Sequence, residues 1–399
     1  MLNLPVYLDH NSTTPCDPLV LQAMLPYFTE KFGNASSRSH SFGWEAEEAV
    51  DIAREQVAAL IGAEPQEIVF TSGATESNNL ALKGVFELYS SKGNHIITTN
   101  AEHKSVLDTC KHLEKLGGEV TYLPVDSEGR INLAGLEAAI TPRTILVAVM
   151  FANNETGVIQ QVRAISEIAR KHGVLYFSDA VQAVGKIPVN VNEDGFDLLS
   201  VSAHKMYGPK GVGALYIRRK NPRVRLSAQM HGGGHERGSR SGTLNVPGIV
   251  GLGKACEVAG DELKTSAIRL GRLRDRLENE LLKIEAVRVN GNREYRLPHV
   301  TNLCFPFVEG EALIMGFNRN IALSSGSACT SASMEPSYVL KAMGLTDEDA
   351  YSSLRFALGR TTSEEQIEFT ITQVRESVTK LRQLSPLWEM HKQSTNTSI

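Results

Sequence analysis

Short, mostly apolar runs alternate along the first part of the chain with stretches in which apolar residues recur at helical spacing. The runs span 68–70, 95–99, 144–150, 174–178 and 196–201. Runs of this length predict strands that are buried on both faces, and the stretches between them predict helices. Strands that alternate with helices are typical of a mainly parallel sheet covered by helices. We therefore predict a large α/β domain in this part of the chain.

The pattern changes in the last third of the chain, where strands and helices no longer alternate regularly. It predicts a long helix over 249–286, strands at 287–290 and 300–305, and helices that begin near Glu309 and Ser363. This succession predicts a second, smaller α+β domain, as the length of 399 residues also suggests.

Composition narrows the possible classes of function. A net charge of −4 gives no basic surface of the kind that binds nucleic acid or membranes, so neither is an expected partner. The five cysteines are scattered without a Cys-x-x-Cys pair, which argues against a disulfide framework or an intrinsic metal site and indicates a reducing cytoplasm. No targeting segment or membrane-spanning run is recognisable. The polar residues at 392–399 predict a disordered tail.

Two neighbouring predicted strands end in residues of complementary chemistry. Asp179 ends the run at 174–178, and Lys205 follows the run at 196–201. Burial at a strand end favours a neutral amine, which can form a Schiff base with a carbonyl group. An ionised carboxylate can keep a pyridine nitrogen protonated, so that pyridoxal phosphate (PLP) acts as an electron sink. A single lysine is usually a solvated surface charge, but the pair suggests PLP.

Other strand ends carry residues that would suit the same cofactor. The turn at 72–75 offers backbone N–H groups and the Thr75 hydroxyl to a phosphate, although a well-capped helix explains it equally well. His103 could stack on a cofactor ring and shuttle protons, or simply cap a helix. Asn154 could donate to a carboxylate or phenolic oxygen, or be an ordinary turn residue.

Two further candidates lie in the smaller domain. Cys329 belongs to a segment of small residues at about 323–334, which predicts a mobile loop with an exposed, nucleophilic thiol. The cysteines at 110, 256 and 304 are instead predicted to be small core residues. Arg355 is flanked by apolar residues, so we expect it to clamp a substrate carboxylate through two parallel hydrogen bonds.

Seven ordered motifs together resemble a cysteine desulfurase, more narrowly the housekeeping iron–sulfur-cluster type within the class V aminotransferase family. They cover nearly the whole chain and are Ser-Gly-Ala-Thr-Glu-Ser-Asn from 72, Ala-Glu-His at 101–103, Asn-Asn-Glu-Thr-Gly at 153–157, Asp-Ala-x-Gln at 179–182, Ser-x-His-Lys at 202–205, His-Gly-Gly-Gly-x-Glu from 231 and Ser-Ser-Gly-Ser-Ala-Cys ending at 329.

The resemblance implies a role for each matching residue. Lys205 would bind PLP covalently and later remove the Cα proton, Asp179 would pair with the ring nitrogen, and Gln182 would reach the phenolic oxygen. His103 would stack on the ring and manage the proton of the substrate thiol. Cys329 would attack the substrate sulfur and carry it away as a persulfide. The expected phosphate ligands are Ala74, Thr75, Ser202, His204 and, from the other subunit, Thr243. Asn154 would contact the cofactor and, together with Arg355, hold the carboxylate of L-cysteine.

The same resemblance implies a PLP-dependent fold type I transferase, like aspartate aminotransferase, that works as a homodimer. We expect an N-terminal arm at 1–15 packed with the small domain, a large domain at 16–262 and a small domain at 263–399. Sulfur would pass to acceptors such as an iron–sulfur scaffold, on which Cys329 could transiently ligate a cluster, or a tRNA-thiolation carrier. The chain ends soon after Met390, whereas housekeeping members commonly extend further to dock the scaffold.

Alternatives share much of this site. A selenocysteine lyase or a cysteine-sulfinate desulfinase would have the same fold and would differ in substrate preference. An inactive PLP-fold scaffold is disfavoured by the complete set of Lys205, Asp179, His103 and Cys329. A thiol hydrolase using Cys329 is disfavoured because nothing in the sequence indicates a base beside it.

Overall fold

The computed structural model describes the backbone of residues 2–325 and 335–396, with side chains as far as residue 393. Twelve strands lie within these ranges. They are β1 Val6–Tyr7, β2 Ile68–Thr71, β3 His95–Thr99, β4 Glu119–Leu123, β5 Thr144–Ala148, β6 Leu175–Asp179, β7 Leu198–Ser202, β8 Gly213–Ile217, β9 Arg288–Val289, β10 Val300–Cys304, β11 Ile321–Ala322 and β12 Ser353–Ala357.

Thirteen α-helices lie within the same ranges. They are α1 Pro18–Met24, α2 Pro26–Thr29, α3 Ser41–Ile61, α4 Ala74–Leu88, α5 Lys104–Lys115, α6 Leu133–Ala139, α7 Val162–Lys171, α8 Val246–Leu281, α9 Gly310–Phe317, α10 Tyr338–Ala342, α11 Asp347–Tyr351, α12 Glu364–Gln383 and α13 Pro386–Asn396. None of these helices is both long and apolar enough to cross a membrane.

The central sheet has seven strands in the order β2-β8-β7-β6-β5-β3-β4. Only β8 runs against its neighbours, and the other pairings are parallel. Successive side chains of a strand point to opposite faces, and Ile96 and Ile97 accordingly belong to two different hydrophobic clusters. Both faces are therefore buried, as the continuous apolar runs predict. Since β3, β5, β6 and β7 are parallel, their carboxyl ends lie at one edge of the sheet.

A second sheet forms a separate hydrophobic core in the last third of the chain. Strand β10 pairs antiparallel with β12 and β9, and helices α8, α9 and α12 contribute to the same cluster. The N-terminal strand β1 pairs in parallel with β11, with Val6 opposite Ile321. These two strands form a sheet of their own, and a backbone hydrogen bond from Ala357 N to Leu8 O at 2.8 Å joins the chain start to β12 of the second sheet. The domain limits given by the sequence stay predictions.

The start of α1 follows the sequence closely, whereas the long helix α8 begins at Val246 and ends at Leu281 instead of spanning 249–286 as predicted. Asp17 caps α1 by accepting a hydrogen bond from Leu19 N at 2.8 Å, and Pro18 occupies the first position of that helix. The prediction of a tail from residue 392 is wrong as far as Asn396, because α13 extends to that residue. The ring of Trp388 in α13 lies 5.5 Å from that of Phe307, so aromatic packing anchors this helix.

Candidate active site

A cavity of about 520 Å³ lies at the edge of the central sheet where the parallel strands end. It is lined by the turn before α4, by residues just after β3, β6 and β7, and by Arg355 of β12. Ten of the twelve residues that the sequence singled out line it: Ala74, Thr75, His103, Asn154, Asp179, Gln182, Ser202, His204, Lys205 and Arg355.

Lys205 reaches this cavity because a short 3-10 helix, Ala203–Lys205, follows β7 directly. Its Nζ donates to the carbonyl oxygen of Asn11 at 2.5 Å and to that of Ser12 at 2.8 Å. Gln182 Nε2 donates to the same Asn11 carbonyl at 3.0 Å. The carbonyl oxygen of Asn11 in the N-terminal segment therefore holds the Lys205 amine and the Gln182 amide next to each other. Asn11 was not recognised from the sequence, although it lies in a polar turn; in the structure it is buried.

Asp179 is the last residue of β6 and is only 6% exposed. Asn78 Nδ2 donates to its Oδ2 at 2.8 Å, and the backbone N–H of Val181 donates to its Oδ1 at 3.1 Å. These two donors fix the plane of the carboxylate in the cavity wall. Asn78 lies in the second turn of α4 and was not recognised from the sequence, because a helical asparagine carries no local sign of such a role.

A second carboxyl group, Glu102, lies behind the cavity wall. Burial, and to a lesser extent the negative charge of Asp179, raises its pKa from 4.5 to about 8. Met150 N at 2.8 Å and Thr99 Oγ1 at 3.1 Å donate to its Oε1. Glu102 is therefore protonated at neutral pH.

Two histidines flank the lysine with different surroundings. His103 is the N-cap of α5, and its Nδ1 accepts a hydrogen bond from Ser105 N at 3.1 Å. His204 Nδ1 lies 3.1 Å from Thr13 Oγ1. Burial, together with the positive charges of Lys205 and Lys210, lowers the pKa of His204 to about 4. His204 is thus neutral and can serve as a hydrogen-bonding group.

The turn before α4 has the form of an anion cradle. Gly73 adopts a positive φ of 150° and caps a helix of 15 residues. A Cβ at Gly73 would meet no atom within 4 Å, so the space over the helix N-terminus is open. Backbone N–H groups and the helix dipole favour a phosphate there.

Arg355 is 2% exposed and makes more contacts than the sequence suggested. Its Nη1 donates to Asn154 O at 2.9 Å, and its Nη2 contacts Asp9 Oδ1 at 2.7 Å, Ser12 Oγ at 2.6 Å and Ser324 Oγ at 2.8 Å. A substrate carboxylate would have to exchange with some of these partners. Asn154 contributes a buried Oδ1 for which the described residues supply no hydrogen-bond partner.

Of the two remaining predicted site residues, one lies elsewhere in this chain and the other falls outside the described residues. Thr243 is exposed and lies outside the cavity lining of this chain. Cys329 and the loop predicted around it fall largely outside the described residues. Burial raises the pKa of Cys110 and Cys256 to about 12 and that of Cys304 to about 11. These three thiols are poor nucleophiles, in agreement with the prediction that they are core residues.

Taken together, the cavity fits PLP: an amine and a carboxylate end adjacent strands, and an open helix N-terminus lies on the same cavity. A family model described as aminotransferase class-V matches residues 6–369. The chain belongs to the class V aminotransferase family. This family is PLP-dependent, which supports the predicted cofactor, and the predicted fold type I is confirmed.

The chain is similar to characterised relatives over almost its full length. It is 57% identical over 397 residues to the cysteine desulfurase IscS of Salmonella arizonae and to that of Escherichia coli, covering 99% of this chain and 98% of each relative. Among solved structures, a NifS-like protein has a TM-score of 0.88 at 40% identity, covering 94% of this chain and 100% of that one. A structure of SspA in complex with cysteine has a TM-score of 0.78 at 37% identity, covering 88% and 98%.

Proposed function

We propose that this protein is a PLP-dependent cysteine desulfurase, which converts L-cysteine to L-alanine and takes the sulfur onto Cys329 as a persulfide. The observation that carries the proposal is that Asp179, at the end of β6, and Lys205, in the short helix that follows the adjacent parallel strand β7, line one cavity. Similarity to cysteine desulfurases over nearly the whole chain supports the same conclusion.

Each residue of the cavity has a role in this proposal. Bound PLP would supply an electron sink for the Cα–H bond of the substrate. Lys205 would hold the cofactor through its amine and take the Cα proton. Asp179, oriented by Asn78, would pair with the ring nitrogen, and Gln182 would reach the phenolic oxygen. His103 would stack on the ring. The phosphate ligands are the turn at Ala74 and Thr75, Ser202, His204, and Thr243 from the partner subunit of a homodimer.

Substrate binding and sulfur transfer involve the other side of the cavity. Arg355 and Asn154 hold the substrate carboxylate, which replaces the hydroxyl groups of Ser12 and Ser324 on the guanidinium. The Cys329 thiolate forms a bond to the substrate sulfur while the Cβ–S bond of the substrate breaks. The carbon skeleton takes up a proton and leaves as alanine, and the sulfur stays on the enzyme as a persulfide.

The wider setting is proposed from the relatives. A structure of SspA is titled as a complex with cysteine, which supports L-cysteine as the substrate of this chain. The similarity to IscS proteins supports sulfur delivery to an iron–sulfur scaffold or a tRNA-thiolation carrier. A reducing cytoplasm suits a reactive Cys329.

Release of alanine and sulfide from L-cysteine in the presence of a reductant tests the proposal. We expect the wild type to be yellow and active, Cys329→Ala to be yellow and inactive, and Lys205→Ala to lack both colour and activity. Full activity in Cys329→Ala would instead identify a lyase that needs no protein thiol. A strong preference for selenocysteine would identify a selenocysteine lyase.

A further inference from the structure

Asn11 lies in a buried hydrogen-bond network that joins the N-terminal segment to the cavity. It is 1% exposed, and its Nδ2 donates to the backbone carbonyl of Asn154 at 3.0 Å. A carbonyl can only accept, so it is Oδ1 of Asn11 that lies 2.9 Å from His299 Nε2. Burial, together with nearby positive charges, holds the pKa of His299 well below its usual range, so the ring is neutral and donates from Nε2. Both polar atoms of the Asn11 side chain are thus fixed.

The backbone carbonyl of the same residue contacts the amine of Lys205. The Nζ atom lies 2.5 Å from Asn11 O and 2.8 Å from Ser12 O. A neutral amine has two N–H bonds and one lone pair, and the two carbonyl oxygens accept both hydrogens. The lone pair of the neutral amine then points away from the N-terminal segment. Attack on a carbonyl group, or removal of a proton, within the cavity that these residues line requires this orientation.

We propose that Asn11 is a positioning residue for Lys205: its side chain, fixed by His299, holds the carbonyl oxygen that orients the free amine. The amine is free on two occasions, before it binds the cofactor and while it takes the Cα proton of the substrate. Ser12 follows Asn11 directly in the chain, so the same anchor holds both carbonyl groups. His299 lies directly before β10 and thereby acts on the amine from the second sheet. This inference rests on the proposed function and adds two positioning residues to it.

Three variants separate this role from a general effect on the fold. Leucine in His299→Leu cannot donate a hydrogen bond, whereas His299→Gln keeps an N–H donor at the same number of bonds from Cα as Nε2 of histidine. His95→Leu is the matched control, because His95 is also a buried histidine that contacts side-chain hydroxyls, those of Thr144 at 2.8 Å and Thr121 at 2.9 Å. It lies at the start of β3, at the edge of the sheet away from the cavity.

Imine formation is followed by absorbance after cofactor-free protein is mixed with increasing PLP, with Lys205→Ala as the background from other lysines. The limiting rate reports the reaction of the Lys205 amine, and the concentration dependence reports PLP binding. We expect the limiting rate to fall about tenfold in His299→Leu, the size of one hydrogen bond, and to stay within about threefold of the wild type in His299→Gln and His95→Leu. A wild-type limiting rate in His299→Leu, or an equal fall in His95→Leu, would overturn the inference.

A measurement on the wild type covers the case in which His299→Leu does not fold. Protein labelled with 15N in its histidines is prepared without PLP, and the His299 signals are identified by comparison with His299→Gln. We expect the hydrogen on Nε2. A hydrogen on Nδ1 would overturn the inference, because His299 could then not donate to Asn11. If the wild type forms the imine but releases no alanine from L-cysteine, the proposed function fails while this inference stands.

Discussion

Glu102, next to His103 in the chain, allows a prediction whose size follows from the structure. This carboxyl group is 1% exposed, and burial raises its pKa from 4.5 to about 8. Between these two pH values the native state binds more protons than the unfolded state, so the free energy of unfolding falls as the pH rises. Over the roughly 2.5 pH units from 4.5 to 7, the loss is about 3 kcal/mol at 1.36 kcal/mol per unit.

Replacing Glu102 by glutamine removes this loss. The amide oxygen of Glu102→Gln still accepts the hydrogen bonds from Met150 N and Thr99 Oγ1. We therefore expect the free energy of unfolding of the variant, minus that of the wild type, to grow by about 3 kcal/mol between pH 4.5 and pH 7. Urea unfolding of the cofactor-free proteins at a series of pH values measures this difference. Glu167→Gln, which makes the same substitution at an exposed position of α7, serves as the control.

A difference for Glu102→Gln that does not change with pH would refute the reasoning. It would mean that Glu102 is ionised in the native protein at neutral pH. In that case an ionised carboxylate would lie behind the cavity wall, next to Asp179.

Two buried ion pairs give further predictions. Glu236 accepts hydrogen bonds from Arg54 at 2.8 and 2.9 Å and from Phe70 N at 2.8 Å. Glu236→Ala should therefore lower the free energy of unfolding, measured in urea, by about 3–5 kcal/mol. A decrease of less than about 1 kcal/mol would contradict a buried ion pair. Burial works to raise the pKa of Glu278, but hydrogen bonds, first from Arg296, outweigh it and lower the pKa. Ionised Glu278 stabilises the native protein above the pKa that the group has in the unfolded chain, and this stabilisation is lost as the pH falls through its pKa in the native protein. Glu278→Gln should therefore have a lower free energy of unfolding than the wild type at pH 7, and the difference should shrink in acid. A difference that does not change with pH would contradict this.

The sequence was sufficient for the residues whose position follows from strand ends. Asp179 and Lys205 lie together because adjacent parallel strands end at one edge of the sheet, which periodicity alone predicts. Asn11 and Asn78 could not be found in this way. The backbone carbonyl of Asn11 accepts a hydrogen bond from Lys205, which lies 194 residues away in the sequence. Asn78 occupies an ordinary helical position. Their roles depend on tertiary contacts that leave no local pattern.

For Arg355 the sequence predicted burial but not the hydrogen-bond partners. Its apolar neighbours correctly indicated a buried guanidinium, but not that four protein oxygens already surround it. Three of these partners, Asp9, Ser12 and Asn154, come from distant segments of the chain. The burial of a residue can be predicted from apolar neighbours in the sequence, whereas the partners of a buried charge depend on how distant segments pack.

The most direct test of the central claim is a single turnover without reductant. The protein loaded with PLP is mixed with one equivalent of L-cysteine, digested, and the mass of the peptide that contains Cys329 is measured. We predict that this peptide gains one sulfur atom in proportion to the alanine released, and that Lys205→Ala gives neither product. Alanine released while the Cys329 peptide keeps its original mass would contradict sulfur transfer to this cysteine.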